Sequence, residues 1–420
     1  MNQEQIQKQK LPDGWKICKI EDLCYLETGG TPRRDVSEYW ENGNINWLSS
    51  GDVNKTFIYE VDGKITKKGL ENSNAKILPK NSVLIALNGQ GKTRGTVAIL
   101  KVESTCNQSI VALIPKNKSI DYKFLFYFLK SMYQKLRNLT GDNERSGLSI
   151  RILKNFRIIV PPLSTQQEFT ARLDEQMAQI EIMKKEAEKE TEAGITLFES
   201  CLIKLLKNVN GEKCTIGDLI KSDVSGFACN IQSLVSEKEG YLHIRPFNLN
   251  EFGEMDFSQK YYVPIAMVDT KIYHLNAGDI LFNNTNSAEL VGKSALIKES
   301  VPAAFSNHIN KIVVNKNRVL PEYFAFYLNY LWITNEFLNN CKRWIGQAGY
   351  ALSKLKEEQM VVPDLKSQQK IVEELNSIKK EKTMLVENSD LRLNAISQLP
   401  LSILNEVFGK YEITSGVTNE

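Results

Sequence analysis

Apolar residues fall into two patterns that alternate along the chain. Short runs rich in aliphatic residues, Ser82–Leu87, Thr96–Leu100, Ser109–Ile114 and Phe156–Val160, have counterparts at Asp279–Phe282, Ser294–Ile297 and Lys311–Val314. Gly, Asn and Asp clusters separate these runs, which predicts short strands joined by turns. One aromatic stretch per half, 121–139 and 321–341, carries helical spacing instead. The second pattern is longer. From Ser164 to Asn208 there is no proline and one glycine, and Phe169, Leu173, Met177, Ile180, Ala187, Ile195, Phe198, Leu202 and Leu205 recur at spacings dominated by threes and fours. That is a narrow stripe on a helix that would reach roughly 65–70 Å if unbroken. Ile371, Leu375, Ile378, Leu385, Ala395, Leu399, Ile403 and Val407 repeat the stripe. Pro400 is expected to kink this second helix and leave the turns through Phe408 as a separate short one. Both helices follow proline-containing starts, VPPL (160–163) and VPDL (362–365), and Ser164 or Ser367 with the following glutamines resembles an N-cap with Gln near N3.

These patterns are copies of one another. TIGDLIKSDVSG (215–226) lies over KIEDLCYLETGG (19–30) at an offset of 196, pairing Ile20 with Ile216, Asp22 with Asp218, Leu23 with Leu219 and Gly30 with Gly226. The offset is 197 for residues 77–100 over 274–297, 200 around Phe124, Phe126 and Tyr127 over Phe324, Phe326 and Tyr327, and 202 for 158–169 over 360–371. A period this long is a tandem duplication of a whole module, not a solenoid. The expected fold is α+β: two tandem domains, 1–163 and 209–362, separated by two long helices, 164–208 and 363–420. Each narrow stripe needs a partner, and pairing the helices as an antiparallel coiled coil supplies it.

Composition narrows the setting. The 420 residues support two or three domains, no apolar run approaches a membrane span, and the N-terminus is polar, so a cytoplasmic protein is expected. Seven scattered cysteines without C-x-x-C give neither a disulfide framework nor a zinc site, and the three histidines lack ligand spacing. The formal charge of +3 conceals an uneven distribution. Residues 1–163 carry a net +9, 164–208 −3, 209–362 −1 and 363–420 −2. A basic first body interleaved with Tyr, Trp and Asn is a footprint for phosphate contact.

Catalytic motifs are missing. Gly89-Gln90-Gly91-Lys92-Thr93 ends like a phosphate-cradling loop, but Ala86 stands where the first glycine belongs and the second copy lacks Lys-Thr. No Gly-x-Ser-x-Gly elbow is present, and no Asn/Asp-Pro-Pro-aromatic segment of an amino-methyltransferase.

Several elements in order carry a resemblance: Gly14-Trp15, the Leu23 to Thr28-Gly29-Gly30-Thr31-Pro32 turn, Ile45-Asn46-Trp47-Leu48, LNGQGKTRGTVAI, Asn107-Gln108-Ser109 and the Val-Pro-Pro-Leu-x-x-Gln-Gln helix start. The chain resembles the specificity subunit of type I restriction-modification enzymes over nearly its whole length. The second copy departs in having Ser225-Gly226-Phe227-Ala228 for Gly-Gly-Thr-Pro and Asp364 for the second proline. The resemblance implies a non-catalytic subunit whose two target-recognition domains each read one half of a bipartite site in double-stranded DNA. It implies helices that fix the spacing and dock modification (methyltransferase) subunits, two in number, for adenine methylation, with restriction/translocase subunits joining them. No cofactor is expected on this chain; S-adenosylmethionine, and ATP with Mg2+ for restriction, belong to the partner subunits. Glu181, Lys184, Lys185, Glu188 and Glu192 lie on the helix face that would dock partners.

Candidate DNA contacts are the polar loops between paired strands: Asn88, Gln90, Lys92, Thr93 and Arg94 in the first copy, and Asn283, Asn284, Thr285, Asn286 and Ser287 in the second. Arg can bond guanine in bidentate fashion, Asn or Gln adenine, and Lys and Ser phosphates. Supporting candidates are Arg33, Arg34, Asn107, Gln108 and Arg145, with Arg245, Asn307, His308, Lys342 and Arg343 in the second copy. Trp15, Trp47, Phe124, Phe126, Tyr127, Phe324, Phe326 and Tyr327 are expected in the core. Helix pairing is assigned to Phe169, Leu173, Ile180, Leu202, Ile371, Leu375, Ile378 and Leu385. The alternative is a two-module protein- or RNA-binding scaffold without DNA sequence specificity.

Overall fold

The computed structural model describes residues 11–89, 91–138 and 148–409. They form two compact units, one built from the chain up to Glu186 together with the chain from Arg392 onward, the other from Ala187–Leu391. Each unit is mixed α and β, and each takes one half of two long helices: the central helix Leu163–Lys207 and the C-terminal helix Leu365–Phe408.

In the first unit a five-stranded sheet runs in the order Cys24–Thr28, Ile110–Pro115, Val83–Ala86, Val97–Leu100, Phe57–Ile58. Its three central strands are continuous apolar runs because both faces are covered. Val83, Ile85, Val97, Ile99, Val111 and Leu113 face one core with the aromatic helix Tyr122–Ser131. Leu84, Ala86, Ala98, Leu100 and Ala112 face a second core with Leu48, Val53 and Ile58. Residues of the long helices complete the first core, with Leu173 and, from the C-terminal helix, Leu404 and Phe408.

The second unit repeats the plan. Its four-stranded sheet is ordered Ile220–Ser225, Ile309–Val314, Ile280–Asn283, Ser294–Leu296, with Ile280, Phe282, Ile312 and Val314 toward the helix Pro321–Ile333 and Leu281, Ala295 and Ile309 toward the opposite core. A three-stranded side sheet joined by one antiparallel and one parallel pairing accompanies each main sheet: Lys64–Ile65, Ile45–Leu48, Thr105–Cys106 in one, Tyr262–Pro264, Gly240–Ile244, Ala303–Phe305 in the other. An antiparallel ribbon leads to the start of each long helix, Lys16–Lys19 with Arg157–Val160 and Glu212–Thr215 with Gln359–Val362.

Within each unit the helix halves pack antiparallel. In the first, Phe169, Leu173 and Met177 share a core with Ile403, Leu404, Val407 and Phe408. In the second, Ala187 meets Ser389, Gly194 lies under Leu385 and the Phe198 ring lies near Lys382, so one number rises as the other falls. Leu202, Leu375, Ile371 and Ile378 belong to the second unit's core. Ile180 is half-buried and Leu385 remains 39% exposed.

Four local expectations are corrected. The C-terminal helix passes through Pro400 without a break and ends at Phe408. Burial of Ile396, Leu404 and Phe408 on both sides of the proline offsets the one hydrogen bond it removes. Each predicted aromatic helix is two helices: the first half breaks at Met132 between Tyr122–Ser131 and Tyr133–Asn138, and the second at Thr334 and Asn335, the latter at φ +62, before Glu336–Asn340. The serines do not cap the long helices, since both already lie inside them. In the second copy Asp364 accepts from the Lys366 and Ser367 amides. Finally, the structural mate of Gly226 is Gly29, not Gly30. A register shift between Ile220 and Ser222 puts one extra residue into the second copy's strand, moving the offset from 196 to 197.

The glutamines of the helix start have a different task. Gln166 is fully buried; its amide donates to the carbonyls of Pro161 and Ser119, and its oxygen accepts the Asp121 amide. Gln368 repeats this with Pro363, Arg318 and the Leu320 amide. Each glutamine ties the start of a long helix to the start of an aromatic helix. Tyr127 and Lys123 reinforce the first of these junctions through Asp174. Trp47, Phe124, Phe126, Tyr127, Phe324, Phe326 and Tyr327 are buried, and half-buried Trp15 meets Phe169 edge-on.

Candidate nucleic-acid interface

Strand register decides which polar loops meet. In the first unit Thr28 pairs with Val111 and Ala86 with Ile110, and the Leu87 amide donates to the Ser109 carbonyl. Residues 29–34, 87–89, 91–96 and 107–109 therefore leave the sheet at one end. Gly29 makes this closeness possible: a Cβ there would sit 1.7 Å from the Cys106 carbonyl oxygen. The Thr31 hydroxyl then donates to Gln108 at 2.7 Å. This end collects Arg33, Arg34, Asn88, Lys92, Thr93, Arg94, Asn107 and Gln108. Gln90 and Arg145 lie outside the described residues.

These side chains are not equally available. Asn88, Lys92, Gln108, Arg33 and Arg34 are exposed. Arg33 forms a 2.6 Å ion pair with Asp35, whose hydrogen bond from Arg33 holds its carboxyl below the usual range, and Arg34 lies over the Trp40 ring at 5.7 Å. Thr93 and Asn107 are half-buried, with the Asn107 oxygen accepting the Ser109 amide. Arg94, expected at a free loop tip, is folded back, half-buried and donating to the Arg137 carbonyl at 3.3 Å. The Tyr133 hydroxyl donates to the Lys92 carbonyl at 2.8 Å, so the helix Tyr133–Asn138 braces the loop.

The second unit gathers its candidates in the same place. Ser225 pairs with Asn310 and Asn283 with Ile309, while the Ser306 amide donates to Ile244 next to Arg245. The loops also close alike: the Gly95 amide donates to Ala86 and the Gly292 amide to Asn283, both glycines at positive φ. A Cβ on Gly292 would meet the Phe337 ring at 2.2 Å. Asn283 is fully buried and donates to the Leu290 carbonyl, so it shapes the loop from within. Around it Thr285 donates to Asn284, Asn284 to Asn310, and Asn310 to Ser225 at 2.6–2.9 Å. Asn286 accepts the Ser287 amide. Asn307 is exposed and His308 half-buried. Arg245 donates to the Cys229 carbonyl and lies over the Tyr261 ring at 5.0 Å.

One element was missed by sequence reasoning. Lys342–Trp344 and Gln347–Gly349 form a hairpin whose second strand pairs with Thr285–Asn286. Lys342 and Arg343 are exposed on it, and Trp344 and Ile345 stand at its tip. The signal was the Gly346 turn, but Arg-Trp-Ile lacks the alternation that marks a strand.

Both units thus present a polar sheet end suited to hydrogen bonding with an extended, anionic partner. Comparisons with known proteins point the same way. The model of the type I restriction modification DNA specificity domain matches the chain twice, over residues 12–192 and 208–395. The chain is 30% identical over 198 residues to the type I restriction enzyme MjaIX specificity subunit of Methanocaldococcus jannaschii, covering 46% of this chain and 45% of that protein. It thus spans less than half the length of that relative. It is 22% identical over 418 residues to the EcoKI specificity subunit of Escherichia coli K12, covering 95% and 89%. Among solved structures, a chain from work on complex assembly and conformational transition of the type I R-M system superposes with a TM-score of 0.71 at 14% identity, covering 95% of this chain and 99% of that one. The HsdS subunit from Thermoanaerobacter tengcongensis gives 0.51 at 14% identity, over 96% and 98%. At these identities the structural likeness speaks to fold alone.

Proposed function

The chain belongs to the type I restriction-modification DNA specificity family, and from that premise we propose that it is the DNA sequence-recognition subunit of a type I complex, each unit reading one half of a bipartite duplex site. The observation that carries this reading is the duplication of the site: Arg33, Lys92 and Gln108 at one sheet end, and Asn284, Asn307 and Arg343 around the equivalent end. Two related ends with different side chains suit two different half-sites. The paired helices set the spacing between the halves and offer their exposed faces, Glu181 and Lys185 among them, to two modification subunits. Restriction/translocase subunits complete the assembly.

On this reading the chain supplies the address and its partners the chemistry. S-adenosylmethionine, and ATP with Mg2+ for restriction, act in the partner subunits. Among the described residues no helix is long and apolar enough to cross a membrane. The scaffold alternative leaves the doubled family match without a role.

The test is to express the chain with its modification subunits in a host free of adenine methylation and map methylated adenines genome-wide. A split motif that disappears when this chain is omitted is expected. Methylation with an unchanged motif in its absence would overturn the proposal, as would methyltransferase, nuclease or ATPase turnover by the purified chain alone.

A further inference from the structure

The hairpin Lys342–Gly349 joins a rigid base to an apolar tip. At its base Ala348 is buried, the Tyr350 amide donates to the Asn284 carbonyl, and the Tyr350 ring packs edge-on against Phe337 at 4.9 Å. At its tip Trp344 pairs with Gln347 across a two-residue turn closed by Gly346 at φ +76. Trp344 is 53% exposed and Ile345 105%. A large apolar pair held in water by a well-packed ribbon carries a hydration cost that folding of this unit does not relieve. The chemistry beside the tip is cationic: Lys342 lies 5.8 Å from the Trp344 ring, and the exposed Arg343 follows it. The nearby carboxylates are engaged lower down, Glu336 with Asn340 and Glu358 with the Tyr350 hydroxyl.

We propose that Trp344 and Ile345 are an apolar wedge that enters a groove of duplex DNA at the second unit's half-site and partly opens a base step, while Lys342 and Arg343 take the flanking phosphates. This rests on the DNA-recognition reading above and adds to it a deformation of the DNA. Apolar side chains inserted between base steps from the minor groove unstack them and kink a duplex. The wedge also addresses the charge imbalance of the chain. The body 209–362 carries a net −1, so its affinity must come from local contacts that do not depend on overall charge.

The experiment uses the chain assembled with its modification subunits and a duplex bearing the motif returned by methylation mapping. The duplex carries 2-aminopurine in the second half-site, at a position other than the methylated adenine, and a fluorophore pair at its ends. Binding is expected to raise the 2-aminopurine signal and shorten the end-to-end distance. The Trp344→Ala, Ile345→Ser double variant is expected to abolish both changes and bind about 10–100-fold more weakly while keeping its salt dependence. Lys342→Ala with Arg343→Ala is expected to flatten the salt dependence instead. The substituted residues lie outside the core, so an unchanged unfolding midpoint verifies the fold. Wild-type affinity and an unchanged 2-aminopurine response in the double variant would overturn the wedge and leave the DNA reading standing. Loss of modification-subunit assembly by that variant, with DNA binding intact, would likewise overturn it and make the tip a protein contact. Failure of the wild-type assembly to bind any duplex would overturn the DNA reading itself.

Discussion

The Ser389 hydroxyl donates to the Ala187 carbonyl at 2.8 Å, from one long helix to the other, with both residues buried. A serine inside a helix commonly bonds its own preceding turn; this one bonds across, which fixes the register of the pair. Ser389→Ala is expected to cost about 1 kcal/mol. Ala187→Leu is expected to cost about 1–3 kcal/mol by overpacking the seam. Urea denaturation of both variants measures this, and a neutral Ala187→Leu would show that the helices separate freely there.

Gln166 and Gln368 make the same three hydrogen bonds in the two copies. Replacing either by Leu leaves two carbonyls and an amide unpaired in a buried site, an expected loss of about 1–3 kcal/mol. The losses should be equal within error and appear in different units, which hydrogen exchange resolves by segment.

Arg94 and Lys92 share a loop but not a role. Lys92→Ala is expected to weaken DNA binding at all sequences and lower the salt slope by about 1. Arg94→Ala is expected to cost about 1–3 kcal/mol at the first half-site only. Because Arg94 donates to the Arg137 carbonyl, Tyr133→Phe is the control: it keeps the Arg94 side chain but removes the hydroxyl that bonds both the Lys92 carbonyl and the Arg137 side chain, so it loosens the brace alone. An equal loss in that variant would make Arg94 a brace, not a reader.

Burial and the nearby Arg245 push the His243 imidazole down to about 4. The unfolded chain takes up a proton near pH 6.5 and the folded chain only near 4, so stability falls as pH drops through that window, by at most about 1.4 kcal/mol per unit. His243→Leu is expected to remove this part of the acid limb. Urea midpoints at pH 7.5 and 5 should converge in the variant and differ in the wild type.

If the helices set the spacing, a seven-residue insertion in each, after Glu186 and after Leu391, should lengthen the gap between half-sites by about 3 base pairs, since seven residues rise roughly 10 Å and keep the stripe nearly in phase. Methylation mapping reads the new gap directly; an unchanged gap would exclude the helices as its determinant.

The duplication, both long helices and the paired strands were legible because each is a periodic pattern, and the second copy repeats the first. What the sequence concealed depends on tertiary partners. Gln166 looks like a capping residue until Asp121 is beside it. Arg94 looks like a loop tip until Tyr133–Asn138 folds over it. The break at Met132 interrupts no apolar pattern, and the register shift near Lys221 is silent in a sequence that simply gains one residue. Asn283 shows the same limit: a strand's last residue and a loop's first are neighbours in sequence, but here one is buried and the next only half so.

Phe408 packs edge-on against Phe124 and Phe128, with ring centroids 5.7 Å from each. The first unit therefore completes its core with a side chain almost three hundred positions later in the chain. On the ribosome, the body that is synthesised first must wait for the last turns of the last helix, with its aromatic groove open while the whole second unit is being made. A message cut short after Leu391, where the second unit ends, would yield a product that is intact where it was translated late and unfinished where it was translated early.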